Sequence, residues 1–335
     1  GRNMTGPDHA RLSVAPMMDC TDRHCRYFHR QLTRHALLYT EMVAAPALAR
    51  GGAVHLLDHD PAEHPVALQL GGSDPAMLAC AARMGVQAGY DEVDLNCGCP
   101  SDRVREGAFG AVMMRDPAHA AECAAALAEG AAPAPATVKC RIGVDDQDPR
   151  RALPDFLSAM AGAGITRVTV HARKAWLEGL NPKENRTVPP LDHALVQEMA
   201  AAFPGLAIIA NGGIGDPDAA RAALSGPVAG VMIGRAAYQR PMDILAPADR
   251  EIFGEDRPAP DREAVVAAMR PYIARHLAAG GRLHEVTRHM LGLFAGAPGA
   301  RAWRRILSGQ GVRPGAGPEV LDAALAAAGA GRAAA

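Results

Sequence analysis

Cys97 and Cys99 flank Gly98 and stand just before Pro100, immediately after a short apolar run. A thiol with the reference pKa of about 8.5 is mostly protonated near neutrality, so it can donate a proton to a reacting carbon. A C-x-C pair could also bind metal, but no second pair or histidine cluster completes a zinc set, and no metal is expected. The ordinary alternative is a buried, inert thiol. Positions 97 and 99 share strand parity, so strand geometry alone does not choose between them.

Other candidates form two groups. Asn211-Gly212-Gly213 and Gly234-Arg235 each follow a β-type run, and glycines there let backbone N–H groups approach phosphate oxygens closely. Arg235 adds a possible charge-assisted bond. Lys139 could stabilise an anion on a cofactor or substrate, or pair with a neighbouring carboxylate. His171 could be a phosphate donor, a proton carrier or a packed core histidine. The chain has only three lysines, Lys139, Lys174 and Lys183, among 35 basic residues. In a sequence that uses arginine almost everywhere, these mark positions that suit a compact ammonium.

The elements that must position these groups repeat regularly. Short β-type runs at 12–15, 37–41, 66–70, 92–95, 137–141, 167–171, 206–210 and 230–233 alternate with helix-period segments. Those segments cover 75–88, 117–128, 152–161, 192–202 and 216–224. Asp74, Asp116 and Asp216, each one residue before a proline, are expected N-caps. Eight strands alternating with helices imply an α/β fold of the (β/α)8 TIM-barrel type, with working residues at the strand C-termini. No G-x-G-x-x-G follows the first strand, which disfavours a dinucleotide-binding sheet. Pro16, Met17, Met18, Gln69 and Asn96 fall at those ends with the residues already named.

Beyond residue 245 the β-type runs stop, and helices are expected at 262–276, 283–294, 300–307 and 318–328, with 327–335 frayed. The reading is a disordered segment at 1–10, a barrel over 11–250 and a small all-helical domain over 255–328. Net charge is −1 for the chain but +5 from Asp256 onward, which suggests an anionic partner for that part. Arg301, Arg304 and Arg305 share one helix face, opposite Trp303, Ile306 and Leu307. The odd cysteine count of seven, the polar first ten residues and the lack of an 18-residue apolar run point to a cytoplasmic chain with reduced thiols and no membrane contact.

Together these residues resemble the bacterial tRNA-dihydrouridine synthases across most of the chain. Ala15-Pro16-Met17 with Thr21-Asp22 is similar to the family's opening flavin motif, and Asp94-Leu95-Asn96-Cys97-Gly98-Cys99-Pro100 to its central one. Segments 171–186 and 292–305 resemble the A-type subfamily. Position 97 departs from the pattern, being cysteine where a small apolar residue is expected. The resemblance implies bound FMN reduced by NADPH, and D-loop uridine at position 20/20a of tRNA as substrate. It implies hydride transfer to C6, with Cys99 protonating C5. It assigns Pro16, Met17, Met18, Gln69, Lys139, His171, Asn211, Gly212, Gly213, Gly234 and Arg235 to the flavin. Asn96, Lys174, Lys183, Arg186, Arg301, Arg304 and Arg305 fall to the tRNA. No obligate protein partner is implied. An FMN-dependent barrel reductase for a small molecule, of the dihydroorotate dehydrogenase or ene-reductase kind, is the alternative; it does not require a basic helical appendage.

Overall fold

A computed structural model describes residues 8–101 and 108–333. The segment expected to be disordered lies outside the described residues as far as position 7; His9–Arg11 forms a 3-10 turn. The chain forms two compact units. Among the described residues, one contains 9–18, 37–101 and 108–233; the other contains 8, 19–36 and 234–333.

Among the described residues the first unit holds a parallel sheet of nine strands: β1 Leu12–Val14, β2 Leu38–Tyr39, β3 Val43–Ala44, β4 Val66–Gly71, β5 Glu92–Cys97, β6 Ala136–Cys140, β7 Arg167–His171, β8 Ala207–Asn211 and β9 Gly230–Ile233. Their order is β1-β9-β8-β7-β6-β5-β4-β2, with β3 also on β4. Val14 N–H donates to Leu37 C=O at 3.0 Å, which brings the first strand beside the segment leading into β2 and all but closes the barrel. Helices α2 Ala45–Ala49, α3 Pro75–Gln87, α4 Pro117–Ala131, α5 Pro149–Gly162, α6 His193–Ala202 and α7 Pro217–Leu224 intervene. Asp74, Asp116 and Asp216 cap α3, α4 and α7 by accepting from Met77, His119 and Ala219 N–H, as expected.

Of the run expected at 37–41 only β2, Leu38–Tyr39, is strand, and β3 follows at Val43–Ala44 beyond it. Thr40 Oγ1 accepts the Gln69 N–H at 3.1 Å and donates to the Glu41 carbonyl at 2.7 Å. A side chain thus takes a donor that a continuous ladder would use, and pairing breaks between β2 and β3. On β5, β6 and β7 the residues of one parity are polar, whereas Ala67, Ile209 and Met232 of the neighbouring strands pack with Tyr39 in an apolar cluster. The Tyr39 hydroxyl donates to Glu92 at 3.1 Å, the Thr137 hydroxyl oxygen lies 2.8 Å from the same carboxylate, and Arg167 pairs with it. Burial holds the Tyr39 phenol above its ordinary pKa.

The second unit is helical: α1 Arg23–Leu32, α8 Arg235–Gln239, α9 Pro241–Ile244, α10 Ala248–Glu251, α11 Arg262–Ala278, α12 Leu283–Thr287, α13 Ala300–Gln310 and α14 Pro318–Ala333. The helix expected at 283–294 stops at Thr287. The Met290 and Leu293 carbonyls accept instead from Trp303 Nε1 and Arg262 Nε, both at 2.9 Å. Gly292 lies so close to the Gln239 carbonyl that a Cβ would approach it to 2.3 Å. These tertiary demands replace α-helical turns with tighter ones. The last helix continues to Ala333, past the stretch expected to fray at 327.

Candidate active site

In the barrel unit, most of the expected residues converge on the strand C-termini. β4 brings Gln69 opposite Asp94, β5 brings Asn96 opposite Lys139, and β7 brings His171 opposite Asn211. Alternation then points Gln69, Asp94 and Asn96 to one side of the sheet. They form a continuous chain of hydrogen bonds. Thr137 Oγ1 and Gln69 Nε2 donate to the Asp94 carboxylate at 2.8 and 2.9 Å. Asn96 Nδ2 donates to Gln69 Oε1 at 3.0 Å. Asn96 Oδ1 then accepts from the N–H groups of Gly98 and Cys99 at 3.0 and 2.9 Å. A buried carboxylate is thereby linked to the backbone of the candidate thiol. Burial pushes Asp94 up to about 6.

The Cys99 loop is gripped from other directions too. The Ala111 N–H donates to the Cys99 carbonyl at 2.9 Å. Buried Arg141 donates from Nε to the Gly98 carbonyl at 3.2 Å. Its NH1 reaches the Lys174 and Asn185 carbonyls at 3.3 and 2.6 Å. One guanidinium thus fastens the loop after β5 to the loop after β7. Burial lowers Arg141 to about 10.

The two cysteines separate clearly. Cys97 is fully buried, is in register with Cys140, and has its thiol pKa driven well up by burial. Cys99 is partly exposed. Lys139 is half-buried, and burial followed by neighbouring Arg141 lowers it to about 8. His171 is pushed well below its ordinary pKa by burial and by Arg141 and Lys139, so it is neutral. Its Nδ1 accepts the Arg173 N–H at 3.3 Å, so the remaining hydrogen is on Nε2.

Gly212 and Gly213 adopt φ of 110° and 65°, in the region that favours glycine. A Cβ on Gly213 would come within 2.6 Å of Leu191, and one on Gly212 within 3.2 Å of His171 Cε1. His193 Nε2 donates to the Gly212 carbonyl at 2.6 Å, and Asn211 Nδ2 to that of Met232 at 2.9 Å. This turn is thus shaped and fastened. Pro16 and Met17 follow β1 half-buried, and Met18 is 57% exposed. Gly234 follows β9 directly and, with exposed Arg235, opens α8 of the other unit.

Among the tRNA candidates, Lys183 and Arg186 are exposed on the loop after β7, and Lys174 Nζ lies 4.9 Å from the Trp176 ring centre. Sequence reasoning missed Asn185, which is fully buried and organises this loop by bonding Trp176 on both sides, at 2.7 and 2.9 Å. An asparagine in a polar loop gives no local sign of burial. In the helical unit, Arg301, Arg304 and Arg305 are exposed on α13, with Trp303 and Leu307 buried on its other side. Among the described residues no helix is long and apolar enough to cross a membrane.

Similarity to known proteins agrees with this geometry. The tRNA-dihydrouridine(20/20a) synthase of Vibrio vulnificus is 51% identical over 317 residues, covering 94% of this chain and 96% of the relative. That of Synechocystis is 51% identical over 316 residues, covering 94% of each chain. That of Escherichia coli K12 is 52% identical over 316 residues, covering 94% and 90%. An old yellow enzyme homologue from Zymomonas mobilis superposes with a TM-score of 0.51 at 13% identity, over 76% of this chain and 92% of the other, a likeness of barrel fold. Residues 13–328 match the family described as dihydrouridine synthase (Dus), and the chain belongs to that family.

Proposed function

We propose that this chain is a tRNA-dihydrouridine(20/20a) synthase that uses bound FMN and NADPH to reduce the C5=C6 bond of D-loop uridine in cytoplasmic tRNA. The observation that carries this reading is the Cys99 loop: a partly exposed thiol whose backbone is held by Asn96 and Ala111 and whose neighbour is held by Arg141.

The residues present fit a flavin nucleotide. Gly212 and Gly213 form a turn at positive φ, against which the Leu191 side chain packs and which would strain any side chain of its own. Gly234 and Arg235 open the loop after the adjacent strand, the usual place for a phosphate in this type of barrel. Pro16, Met17, Met18, Gln69, Lys139, His171 and Asn211 would hold the rest of the group. Lys139, lowered to about 8, is still mainly a cation at neutral pH and would stabilise negative charge on the ring. When bound and reduced by NADPH, FMN supplies the hydride for C6.

The remaining chemistry belongs to the protein. Cys99 Sγ–H gives its proton to C5, and the loop bonds keep the sulfur from drifting when the base enters. One N–H of Asn96 is bound to Gln69, which leaves its second for a uracil edge. Extruding the base costs a few kcal/mol, which RNA-backbone contacts elsewhere must offset. Lys174, Lys183 and Arg186 on the loop after β7, and Arg301, Arg304 and Arg305 on α13, supply those contacts. The barrel over 11–250 carries the chemistry, and the helical segment over 255–328 adds its RNA contacts to those of the loop after β7.

The test is Cys99→Ala beside Cys97→Ala. The first is expected to bind flavin and tRNA but to form no dihydrouridine under multiple turnover. The second should remain active, with lower stability from a vacated core position. Normal product from Cys99→Ala would refute the assignment.

A further inference from the structure

The loop after β7 presents Trp176 at 37% exposure between two buried neighbours, Ala175 at 0% and Leu177 at 4%. Such alternation would ordinarily place a polar side chain outward. Here a large aromatic ring faces solvent instead, and it is not on a floppy tether. Its N–H and carbonyl are both bonded to Asn185. Ala175 pairs with Val144 as an isolated parallel bridge, and the Leu177 N–H donates to Asp145 at 2.8 Å. Asp145 is in turn paired with Arg115. Arg141 joins the same loop, through the Lys174 and Asn185 carbonyls, to the Gly98 carbonyl beside Cys99.

From this arrangement we infer that Trp176 is a stacking platform for a nucleobase of the RNA strand that delivers the uridine to Cys99. Three features favour RNA as the occupant. Base–aromatic stacking tolerates any base, because every base has a π-face, so a fixed indole can serve many tRNAs. The cation beside it, Lys174 at 4.9 Å from the ring centre, can pair with a phosphate. The same loop adds exposed Lys183 and Arg186, whereas of its acids Glu184 accepts the Asn181 N–H at 3.0 Å, Asp192 caps α6 and Glu178 is exposed. Because the loop is already ordered, stacking does not have to supply the entropy of fixing it. The inference rests on the proposed tRNA substrate and adds a recognition element to it.

Intrinsic fluorescence of the flavin-loaded, full-length protein tests it during titration with tRNA. The other tryptophan, Trp303, is fully buried and bonded to the Met290 carbonyl, so it gives a steady background. Unmodified tRNA should quench the Trp176 emission saturably. In a binding assay, Trp176→Ala should weaken tRNA affinity about tenfold, and Trp176→Phe should recover most of that loss. If the wild-type protein binds tRNA with no change in emission, or Trp176→Ala binds within twofold of wild type, the platform is refuted while the tRNA reading stands. If the wild-type protein binds no tRNA at low salt, both fall together. The wild-type titration requires no substitution, so the test survives should Trp176→Ala fail to fold.

Discussion

Asp94 is the residue from which the ordering of the Cys99 loop begins. Its carboxylate accepts from Thr137 and Gln69, and Gln69 and Asn96 pass that order to the Gly98 and Cys99 N–H groups. Placing a carboxylate in the barrel interior disfavours its ionised form. Burial, with Glu92 adding repulsion, raises Asp94 from 3.8 to about 6. A pKa raised on folding means that the folded state favours the proton. The associated stability is therefore fully present below about pH 4 and is lost as pH rises through about 6. The displacement corresponds to about 3 kcal/mol. Denaturant unfolding of wild type and Asp94→Asn between pH 4 and 7 should show this slope in the wild type and not in the variant, whose amide oxygen can still accept from Gln69. Parallel pH dependence in the two proteins would place the titration elsewhere. Asp94, Asn96 and Cys99 were legible together as one sequence motif. The Glu92–Arg167 pair beneath them was not, because its partners come from β5 and β7, 75 positions apart in sequence, and meet only over the intervening β6.

At the level of elements, Asp22 shows how one side chain can serve a local and a distant purpose. Its Oδ1 caps α1 by accepting from the His24 and Cys25 N–H groups at 2.9 and 3.0 Å. Its carboxylate also binds fully buried His289, whose Nδ1 faces the Tyr238 hydroxyl at 3.0 Å, and Arg288 donates from the same turn. His289 offsets the cost of burial and holds Asp22 down at about 2. A lowered pKa contributes stability above the ordinary value of 3.8, and that contribution disappears as pH falls through about 2. Asp22→Ala should remove both the cap and the partner of a buried imidazole, costing about 3 kcal/mol at pH 7. Differential scanning calorimetry at pH 7 would measure the loss, and an unchanged melting temperature would deny the link. The caps at Asp74, Asp116 and Asp216 could be read from the sequence because their signal is local, an aspartate followed by proline. The Asp22–His289 pair spans 267 positions and leaves no such trace. The early end of α12 has the same origin, since Trp303 and Arg262 capture carbonyls that an isolated peptide would use for helix.

Over the whole molecule the charge is nearly balanced, but the portion from Asp256 onward carries +5 and the rest −6. Such a division matters for a polyanionic substrate: an acidic body disfavours unspecific adsorption, while a local basic surface supplies the attraction. The face of α13 that carries Arg301, Arg304 and Arg305 has the composition of a phosphate-binding surface, and its other side is fixed by buried Trp303 and Leu307. These arginines can therefore be removed without opening the helical core. Deleting one arginine–phosphate pair should reduce the steepness of the salt dependence by about one in the log–log slope. Arg301→Ala with Arg304→Ala is thus expected to weaken tRNA binding most at low salt, to flatten the slope by about two, and to leave NADPH-driven flavin reduction at the wild-type rate. Filter binding across about 50 to 200 mM salt, paired with anaerobic flavin reduction, separates the two effects. A loss of flavin reduction with the slope unchanged would mean that these side chains serve the redox site rather than RNA, and the division of labour between barrel and helical segment would have to be abandoned.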